Sequence, residues 1–175
     1  MKILVTGGCG YVGSVLTNHL LKENHKVTVI DTQWFGNCLK KHPNLINKKI
    51  DIRNFPEKIL KNVDVVFHLA NIANDPSVEL NPELAWEVNC LGTQKLIEKC
   101  IKNKVKKFIF ASTIYVHSNQ GSFYRVSKQA SELFITEYKK RYGLDYSIIR
   151  FGSVFGPKGS KKNGLSKIIN KALKE

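Results

Sequence analysis

A chain of 175 residues has the length of about one domain, and its hydrophobic content of 42% is enough to build a core. No apolar run reaches the length of a membrane span, and Met1-Lys2 leads directly into a predicted strand, so we expect neither a signal peptide nor a membrane partner. The net charge of +14 comes mostly from lysine. A positive charge of this size attracts anionic partners, but the sequence contains no recognisable nucleic-acid-binding module. We therefore interpret the charge as a solvated, lysine-rich surface and expect no nucleic-acid binding. The cysteines lack C-x-x-C and metal-ligand spacing, so we expect free thiols, a reducing cytoplasmic location and no metal site.

A glycine-rich loop separates the first predicted strand, about Lys2–Val5, from the first predicted helix. Its glycines recur at three-residue spacing, and this pattern between a strand and a helix is typical of a dinucleotide-binding unit. Gly7 allows the tight turn, Gly10 lets the backbone approach a pyrophosphate, and Gly13 lets the helix pack against the strand. The helix N-terminus offers free N–H groups and a partial positive charge to the phosphates.

Asp31 closes the second predicted strand, where a carboxylate accepts hydrogen bonds from the hydroxyls of an adenosine ribose. An acid at this position disfavours a 2′-phosphate, and no basic residue follows it before Lys40. The alternative is a surface acid that merely ends a strand. With the glycine loop in front of it, the sequence predicts NAD as the cofactor in preference to NADP.

Apolar runs, helical spacing and turn signals predict strands and helices that alternate along the chain. Residues 31–47 are polar and are expected to be irregular. The predicted elements are, approximately and in order, strand Lys2–Val5, helix Tyr11–Glu23, strand Lys26–Ile30, short strand Lys49–Asp51, helix Pro56–Leu60, strand Val63–Leu69, a helix from Asn81 in which Leu84, Val88, Leu91, Leu96 and Cys100 recur at helical spacing, strand Lys107–Ala111, helix Phe123–Tyr142, strand Tyr146–Phe151 and an amphipathic helix Leu165–Leu173 with Ile168, Ile169 and Leu173 inward. This alternation predicts an α/β fold, a Rossmann-type doubly wound parallel sheet with helices on both faces.

A second group of candidate functional residues follows the strand Lys107–Ala111. Ser112-Thr113 come directly after it, and Tyr124 and Lys128, four residues apart, lie on one face of the next predicted helix. A cation beside a phenol favours the phenolate, so Tyr124 is a candidate general base, and the Thr113 hydroxyl is a candidate partner for a substrate hydroxyl or alkoxide. A Tyr/Lys pair at this spacing also arises by chance on a helix surface. Its position after a strand that ends in hydroxyl residues favours the catalytic interpretation.

Several motifs occur in a fixed order along the chain. They are T-G-G-C-G-Y-V-G at 6–13, D-I-R at 51–53, H-L-A at 68–70, N-C-L-G-T at 89–93, S-T at 112–113, Y-R-V-S-K at 124–128 and R-F-G-S-V-F-G-P at 150–157. In this set the chain resembles the NAD-dependent epimerase/dehydratase family of extended short-chain dehydrogenases/reductases. The resemblance covers essentially the whole chain.

The resemblance implies roles for individual residues. Tyr124 would take a proton from a sugar hydroxyl while a hydride passes to NAD, Lys128 would bind the nicotinamide ribose, and Thr113 would hydrogen-bond the reacting oxygen. Ile114-Tyr115 stand where the family's 4,6-dehydratases carry Asp-Glu, which favours epimerisation or another oxidation-first reaction on a nucleotide sugar. The implied cofactor contacts are Gly7, Gly10, Tyr11, Val12, Gly13, Asp31, Asp51, Ile52, Leu69, Ala70, Asn89, Tyr124 and Lys128.

Members of that family are longer than this chain, and their C-terminal part supplies most of the nucleotide-sugar site. We therefore expect an NAD-binding domain at 1–157 and the start of a shortened or absent substrate-binding portion at 158–175. One interpretation is an NAD-dependent nucleotide-sugar epimerase or related oxidoreductase, homodimeric in a full-length form. The other is a non-catalytic NAD-binding module or fragment. In both, the 175 residues alone are expected to bind NAD without appreciable turnover of a nucleotide sugar.

Overall fold

The structure, a computed structural model, describes residues 1–73, 75–156, 168–169 and 171–173. In this part of the chain, parallel strands form a 6-stranded sheet in the order β3-β2-β1-β4-β5-β6. The strands are β1 (Lys2–Thr6), β2 (Lys26–Asp31), β3 (Leu45–Lys49), β4 (Val65–His68), β5 (Lys107–Thr113) and β6 (Tyr146–Phe151). The chain extends outward from the central β1 first to one side and then to the other, which confirms the predicted doubly wound sheet.

The α-helices of the described residues are α1 (Tyr11–Lys22), α2 (Asp75–Glu79), α3 (Pro82–Trp86), α4 (Gly92–Lys102) and α5 (Ser122–Tyr142). A π-helical turn, Glu87–Leu91, joins α3 to α4, and 3-10 turns cover Ile52–Asn54, Glu57–Leu60 and Ile114–His117. Gly143 ends α5 in the left-handed conformation, as the sequence predicts. None of the helices in the described ranges is long and apolar enough to cross a membrane.

The core lies on both faces of the sheet because side chains alternate along each strand. Leu4 of β1 belongs to the cluster that includes Ile135 of α5, and both side chains are fully buried. The neighbouring Ile3 and Val5 point to the opposite face, where they form a cluster with Leu20 of α1. Helices therefore cover both faces, and the carboxyl ends of all the parallel strands share one edge. The change of face between β1 and β4 opens a crevice at that edge, where ligands of such sheets bind.

The third strand is the main correction to the predicted elements. The sequence predicts a short strand near Lys49–Asp51 after an irregular segment, whereas β3 begins earlier, at Leu45, and pairs with β2 from Val27 to Asp31. Only Leu45 and Ile46 are apolar in β3, so its local pattern is weak and the pairing with β2 sets its position. The predicted helix Pro56–Leu60 is a 3-10 turn, α2 was not predicted, and the helix predicted from Asn81 is divided into α3, a π turn and α4. The strands β1, β2, β4, β5 and β6 and the helices α1 and α5 lie within two residues of their predicted bounds.

Apolar side chains are exposed in two of the predicted helical segments. Leu91 is 41% exposed although it continues the helical spacing, because the π turn adds a residue and rotates the following part of the helix. Residues 165–167 and 170 of the predicted helix Leu165–Leu173 lie outside the described residues. Ile168, Ile169 and Leu173 are described, and all three are exposed, so the prediction that they face inward is wrong.

Candidate active site

The glycine-rich loop connects β1 to α1 and is packed so closely at Gly7 and Gly13 that neither position has room for a side chain. Gly7 has a φ of +72°, and a Cβ on it would lie 2.6 Å from the backbone N of Ala70. A Cβ on Gly13 would lie 2.1 Å from the carbonyl O of Gly7, so the first turn of α1 packs directly on the loop. Gly10 closes the turn by donating its N–H to the same carbonyl at 3.1 Å. The turn and its packing on α1 therefore require glycine at positions 7 and 13.

The amino end of α1 adds hydrogen-bond donors to this loop. Gly10 is the N-cap residue, no side chain in the described part of the chain caps the helix, and its first turn holds no acidic residue. Tyr11 and Val12 begin the helix, so their N–H groups have no carbonyl of a preceding turn to bind. Together with the partial positive charge of the helix end, they fit a phosphate group of a ligand in the crevice.

Asp31 ends β2 beside the loop. Its Oδ2 accepts a hydrogen bond from the N–H of Cys9 at 2.9 Å, and its Oδ1 accepts one from the N–H of Gln33 at 2.6 Å. Each carboxylate oxygen accepts more than one hydrogen bond, so both retain a lone pair for a further donor. Asp31 therefore holds the loop in place and also presents a negative charge and acceptor oxygens at the edge of the crevice.

Asp51 and Ile52 follow β3 and begin a 3-10 turn. The Asp51 carboxylate pairs with the guanidinium of Arg53 at 2.8 Å, and Arg53 also pairs with Glu87 at 2.7 Å. Hydrogen bonds from Arg53 hold the pKa of Asp51 below its usual range. Ile52 is buried so tightly that its Cδ1 would lie 2.9 Å from a Cβ on Gly92. Both residues are thus fixed at the carboxyl end of β3.

The segment after β4 reaches the same edge with Leu69, Ala70 and Asn71. The N–H of Leu69 donates to the carbonyl O of Thr6 at 3.1 Å, and the N–H of Ala70 donates to Thr6 Oγ1 at 3.2 Å. Oδ1 of Asn71 is buried and has no hydrogen-bond partner among the described residues. Because a buried acceptor without a partner is costly, this atom fits a donor group of a ligand. No motif in the sequence indicated Asn71.

His68 joins β4 to β1 and α4 inside the core. It is fully buried, with Nδ1 at 2.7 Å from Thr6 Oγ1 and Nε2 at 2.7 Å from Thr93 Oγ1. Thr93 donates its own proton to the carbonyl O of Asn89 at 2.6 Å, so it accepts from Nε2–H, and Nδ1 accepts from Thr6. Burial lowers the pKa of His68 to about 3, so the ring is neutral near pH 7. The ring thereby fixes the hydroxyl of Thr6 that receives the N–H of Ala70.

Asn89 lies in the π turn and is also fully buried. Its Oδ1 accepts from the N–H of Ile72 at 2.8 Å, and its Nδ2 donates to the carbonyl O of Ile72 at 3.0 Å and to Ser127 Oγ at 3.1 Å. Both amide protons are therefore used within the protein, and one lone pair of Oδ1 remains for a ligand. The side chain ties the segment after β4 to α5.

The three predicted catalytic residues lie on β5 and α5. Thr113 is the last residue of β5, is buried, and accepts the N–H of Tyr115 on Oγ1 at 3.3 Å. Lys128 is 2% exposed, its Nζ donates to the carbonyl O of Ala111 at 2.7 Å, and Nζ lies 5.7 Å from the centre of the Tyr124 ring. Tyr124 is one turn earlier on the same face of α5. The Lys128–Ala111 hydrogen bond thus joins the helix face that carries Tyr124 to the end of the strand that carries Thr113.

The amino group of Lys128 is shielded from solvent. Burial lowers its pKa to about 7, against the opposing influence of the nearby Glu132. Its Nζ lies 4.6 Å from the centre of the Phe110 ring, a contact that favours a positive charge. An ammonium has three N–H donors, and the bond to Ala111 uses one of them. The two remaining N–H donors fit hydroxyl oxygens of a bound ligand, and hydrogen bonds to these acceptors would favour the protonated form of Lys128.

A polar cluster of Ser112, Glu132 and Arg150 lies next to the predicted catalytic residues, and no pattern in the sequence predicted it. Glu132, one turn after Lys128 on α5, accepts from Ser112 Oγ at 2.5 Å and from both Nε (3.0 Å) and one terminal N (2.7 Å) of Arg150 on β6. Burial raises the pKa of Glu132, but the hydrogen bonds from Arg150 and Ser112 outweigh burial and hold it below its usual range. The cluster fixes Ser112, and so the strand end at Thr113, against α5.

The structure therefore brings the predicted site residues to one edge of the sheet, at the carboxyl ends of successive strands. That edge offers backbone N–H groups, acceptor oxygens, a buried ammonium and a buried hydroxyl in one crevice, and these groups fit the phosphates and riboses of a dinucleotide. The residues at this edge are the glycine loop after β1, Asp31 of β2, Asp51 and Ile52 after β3, Leu69 and Ala70 after β4, and Thr113 of β5, with Lys128 and Tyr124 on α5.

Residues 3–175 match the NAD dependent epimerase/dehydratase family. The chain therefore belongs to that family, whose cofactor is NAD. Among curated relatives, the putative UDP-glucose 4-epimerase of Methanocaldococcus jannaschii is 33% identical over 193 residues, which cover 98% of this chain and 63% of the relative. The UDP-glucuronate 4-epimerase of Thermodesulfobacterium geofontis is 31% identical over 195 residues, which cover 95% of this chain and 60% of the relative.

Solved structures give the same result. The UDP-N-acetylglucosamine 4-epimerase of Methanobrevibacter ruminantium, in complex with UDP-N-acetylmuramic acid, has a TM-score of 0.89 at 32% identity; the match covers 99% of this chain and 63% of that structure. The UDP-glucose 4-epimerase of Thermus thermophilus in complex with NAD has a TM-score of 0.84 at 29% identity, covering 98% of this chain and 61% of that structure. The chain thus spans about three fifths of the length of these relatives.

Proposed function

We propose that the chain forms the NAD-binding core of a nucleotide-sugar epimerase, in which a hydride passes between a sugar carbon and the cofactor. The observation that carries the proposal is the buried ammonium of Lys128, which is bonded to the end of β5 and lies beside Tyr124 at the edge that also bears the glycine loop. NAD supplies the acceptor and donor of the hydride when it is bound. The curated relatives described above are named as UDP-sugar epimerases, which supports a nucleotide sugar as the substrate.

In this proposal the dinucleotide lies along the strand ends. The backbone of Gly7, Gly10 and Gly13 and the first N–H groups of α1 hold the pyrophosphate, because no side chain of the described residues caps this helix end and its first turn holds no acidic residue. Asp31 accepts the adenosine ribose hydroxyls, and Asp51 and Ile52 flank the adenine side. Leu69, Ala70 and Asn89 line the crevice between β1 and β4.

The chain's own groups move the proton. Tyr124 takes the proton from the sugar hydroxyl as the carbon is oxidised and returns it on reduction. The ammonium of Lys128, close to the Tyr124 ring, stabilises the negative charge that the phenol oxygen acquires, and it donates to the nicotinamide ribose. Thr113, held in place by the Ser112–Glu132 bond next to it, donates to the reacting oxygen of the sugar.

Epimerisation is favoured over dehydration by the residues that follow Thr113. Loss of water from a sugar needs a further acid and base beside the reacting carbon. Ile114 and Tyr115 occupy these positions in a 3-10 turn, and neither side chain carries a carboxylate. The side chain of Ile114 is 55% exposed, so the end of β5 presents an apolar residue directly after Thr113.

Turnover is tested on the protein encoded by the full reading frame that contains these residues. UDP-glucose, UDP-glucuronate and UDP-N-acetylglucosamine are each supplied, and proton NMR follows the 4-epimer. We expect Tyr124→Phe to lower the rate by at least about a hundredfold, because it removes only the proton-transferring oxygen. Tyr142→Phe, at the exposed end of the same helix, is the matched control and keeps the wild-type rate. Equal rates in the two variants would show that Tyr124 is not the acid/base residue.

The choice of NAD over NADP is tested at Asp31. Asp31→Ala removes both the acceptor and the bonds to the N–H groups of Cys9 and Gln33, so NAD affinity falls by roughly tenfold or more. Asp31→Asn keeps an acceptor of the same size and removes the charge. It should therefore gain NADP affinity while losing less of its NAD affinity. Calorimetric titration with both cofactors measures this, and a wild-type chain that prefers NADP would overturn the assignment.

The proposal includes a homodimer formed through the outer face of α5. Phe123, Val126 and Leu133 recur at helical spacing on this face and are 53%, 42% and 72% exposed. Trp86 of α3 lies beside Phe123 and Val126. Such an apolar stripe on a long helix is typical of a self-complementary interface. Sedimentation equilibrium should show that Leu133→Lys weakens association by at least about tenfold. The control Ile46→Lys replaces an exposed apolar residue of β3, and an equal effect of both would refute this interface.

A further inference from the structure

Two of the cysteines lie side by side at the edge of the glycine loop. Cys9 belongs to the loop and is 8% exposed, whereas Cys38 lies between β2 and β3 and is exposed. Sγ of Cys38 donates to the carbonyl O of Cys9 at 3.6 Å. The two residues are therefore in direct contact although 29 positions separate them in the sequence.

The thiol of Cys9 points toward the segment that carries Cys38. Its Sγ lies 3.6 Å from Oδ1 of Asn37, the residue directly before Cys38, and 3.7 Å from Oδ1 of Asn47. Gly36, two residues before Cys38, has a φ of +87°, and no atom lies within 4 Å of the position that a Cβ would take, so the backbone on this side of Cys38 is loosely packed. A disulfide needs a separation of about 4.4–6.8 Å between Cα atoms, so its formation requires the segment that carries Cys38 to adjust until the two residues, which are already in contact, take up that geometry.

The other two thiols are placed differently. Cys90 and Cys100 are fully buried in the helices of the opposite face, and Cys90 donates to the carbonyl O of Ser127. Burial raises the pKa of the Cys90 thiol to about 11. These thiols are inert toward solutes, so they serve as internal controls for the pair at the loop.

We propose that Cys9 and Cys38 form a reversible disulfide in the presence of a small-molecule disulfide, and that this bond closes the glycine loop to the dinucleotide. The exposed Cys38 thiolate attacks the small disulfide, forms a mixed disulfide and releases one thiol. Cys9 then gives its proton to solvent and attacks Sγ of Cys38, which releases the second thiol. Two protein thiols are thereby oxidised and the small disulfide is reduced to two thiols, so electrons and atoms balance.

The bond acts on the groups that hold Asp31. Its carboxylate receives the N–H of Cys9 and the N–H of Gln33, so it lies between the loop and the segment that the disulfide would join. The covalent bond draws this segment over Asp31 and the loop and hinders entry of the adenosine ribose. This consequence rests on the proposed binding of NAD. By linkage, bound NAD must oppose formation of the disulfide to the same extent.

The experiment incubates the purified chain with oxidised glutathione, maps disulfides by mass spectrometry of non-reduced peptides and measures NAD affinity by calorimetry. We expect a peptide that joins Cys9 to Cys38 and an NAD affinity at least about tenfold lower, both reversed by dithiothreitol. Cys38→Ser should bind NAD like the wild type and be insensitive to oxidised glutathione, while Cys90→Ser should respond like the wild type.

The outcomes separate the parts of the proposal. A glutathione adduct on Cys38 without a Cys9–Cys38 peptide overturns it, and so does a bond that forms without changing NAD affinity. A reduced chain that binds no NAD overturns the proposed function instead. The disulfide is then still decided by the peptide masses, because they are read without the cofactor.

Discussion

Lys128→Met should greatly weaken NAD binding and at the same time stabilise the chain near pH 6. Among the described residues the buried ammonium has one hydrogen bond, to Ala111, and the proposed cofactor site gives it the ribose acceptors it lacks. Loss of hydrogen bonds to a charged group weakens binding by about 1.5–3 kcal/mol each, so we expect a loss of at least about a hundredfold in NAD affinity. Tyr124→Phe is the matched control, because it removes one oxygen and should change the affinity less than about threefold.

The stability difference should depend on pH in one direction. Folding lowers the pKa of Lys128 from 10.5 to about 7. Below pH 7 both the folded and the unfolded chain hold the proton, so the full cost of burying the charge is present in the wild type. Above pH 7 only the unfolded chain keeps the proton, so the free energy of unfolding of the wild type rises by about 1.4 kcal/mol per pH unit up to pH 10.5.

Urea unfolding of the wild type and of Lys128→Met measures the difference between their free energies of unfolding at about pH 6 and about pH 9. The Met variant should be the more stable protein at the lower pH, and its advantage should shrink by up to roughly 3 kcal/mol at the higher pH. If the difference between the two proteins is the same at both values, Lys128 is not a desolvated cation. If Lys128→Met and Tyr124→Phe lose equal NAD affinity, the proposed division of roles between them is wrong.

Gly13→Ala should disable the site and damage the fold together. The added Cβ would lie 2.1 Å from the carbonyl O of Gly7 and 2.7 Å from Cα of Gly8, and both are backbone atoms that no rotamer change can move away. Relief requires α1 to move off the loop, so we expect a loss of about 3 kcal/mol in the free energy of unfolding and no measurable NAD binding.

Gly152→Ala is the matched control for this change. The nearest atom to a Cβ at that position is Cδ1 of Ile114 at 3.8 Å, an ordinary contact, so its effect should stay within about 0.5 kcal/mol. Urea denaturation of the two variants measures their free energies of unfolding, and calorimetric titration measures their NAD affinities. A Gly13→Ala chain that behaves like Gly152→Ala in both measurements would mean that α1 does not pack on the loop as described.

Local sequence predicted those parts of the fold that depend on local interactions. The glycine loop, Asp31 and the end of α5 at Gly143 were found because a positive φ, a strand end and a helix stop leave residue signatures at fixed spacing. The central strands were found for a similar reason, since burial on both faces requires a continuous apolar run. β3 was misplaced because its polar residues take their conformation from pairing with β2.

Features that depend on packing between distant residues could not be derived from spacing. The π turn at Glu87–Leu91 shifts the helix phase and exposes Leu91, and no residue pattern marks it. The Glu132–Ser112–Arg150 cluster joins residues from three elements, as does the His68 network. The Tyr124–Lys128 pair was visible in the sequence, but the bond from Lys128 to Ala111 that buries its charge required the structure.

The most direct test is a crystal structure of the chain with NAD. We expect the pyrophosphate to lie over Gly7–Gly13, the adenosine ribose to lie at Asp31, and the nicotinamide ribose to lie within hydrogen-bonding distance of Nζ of Lys128. The nicotinamide then faces the side of the crevice that carries Thr113 and Tyr124. A dinucleotide bound elsewhere on the chain, or one placed with its nicotinamide away from Lys128, would contradict the account.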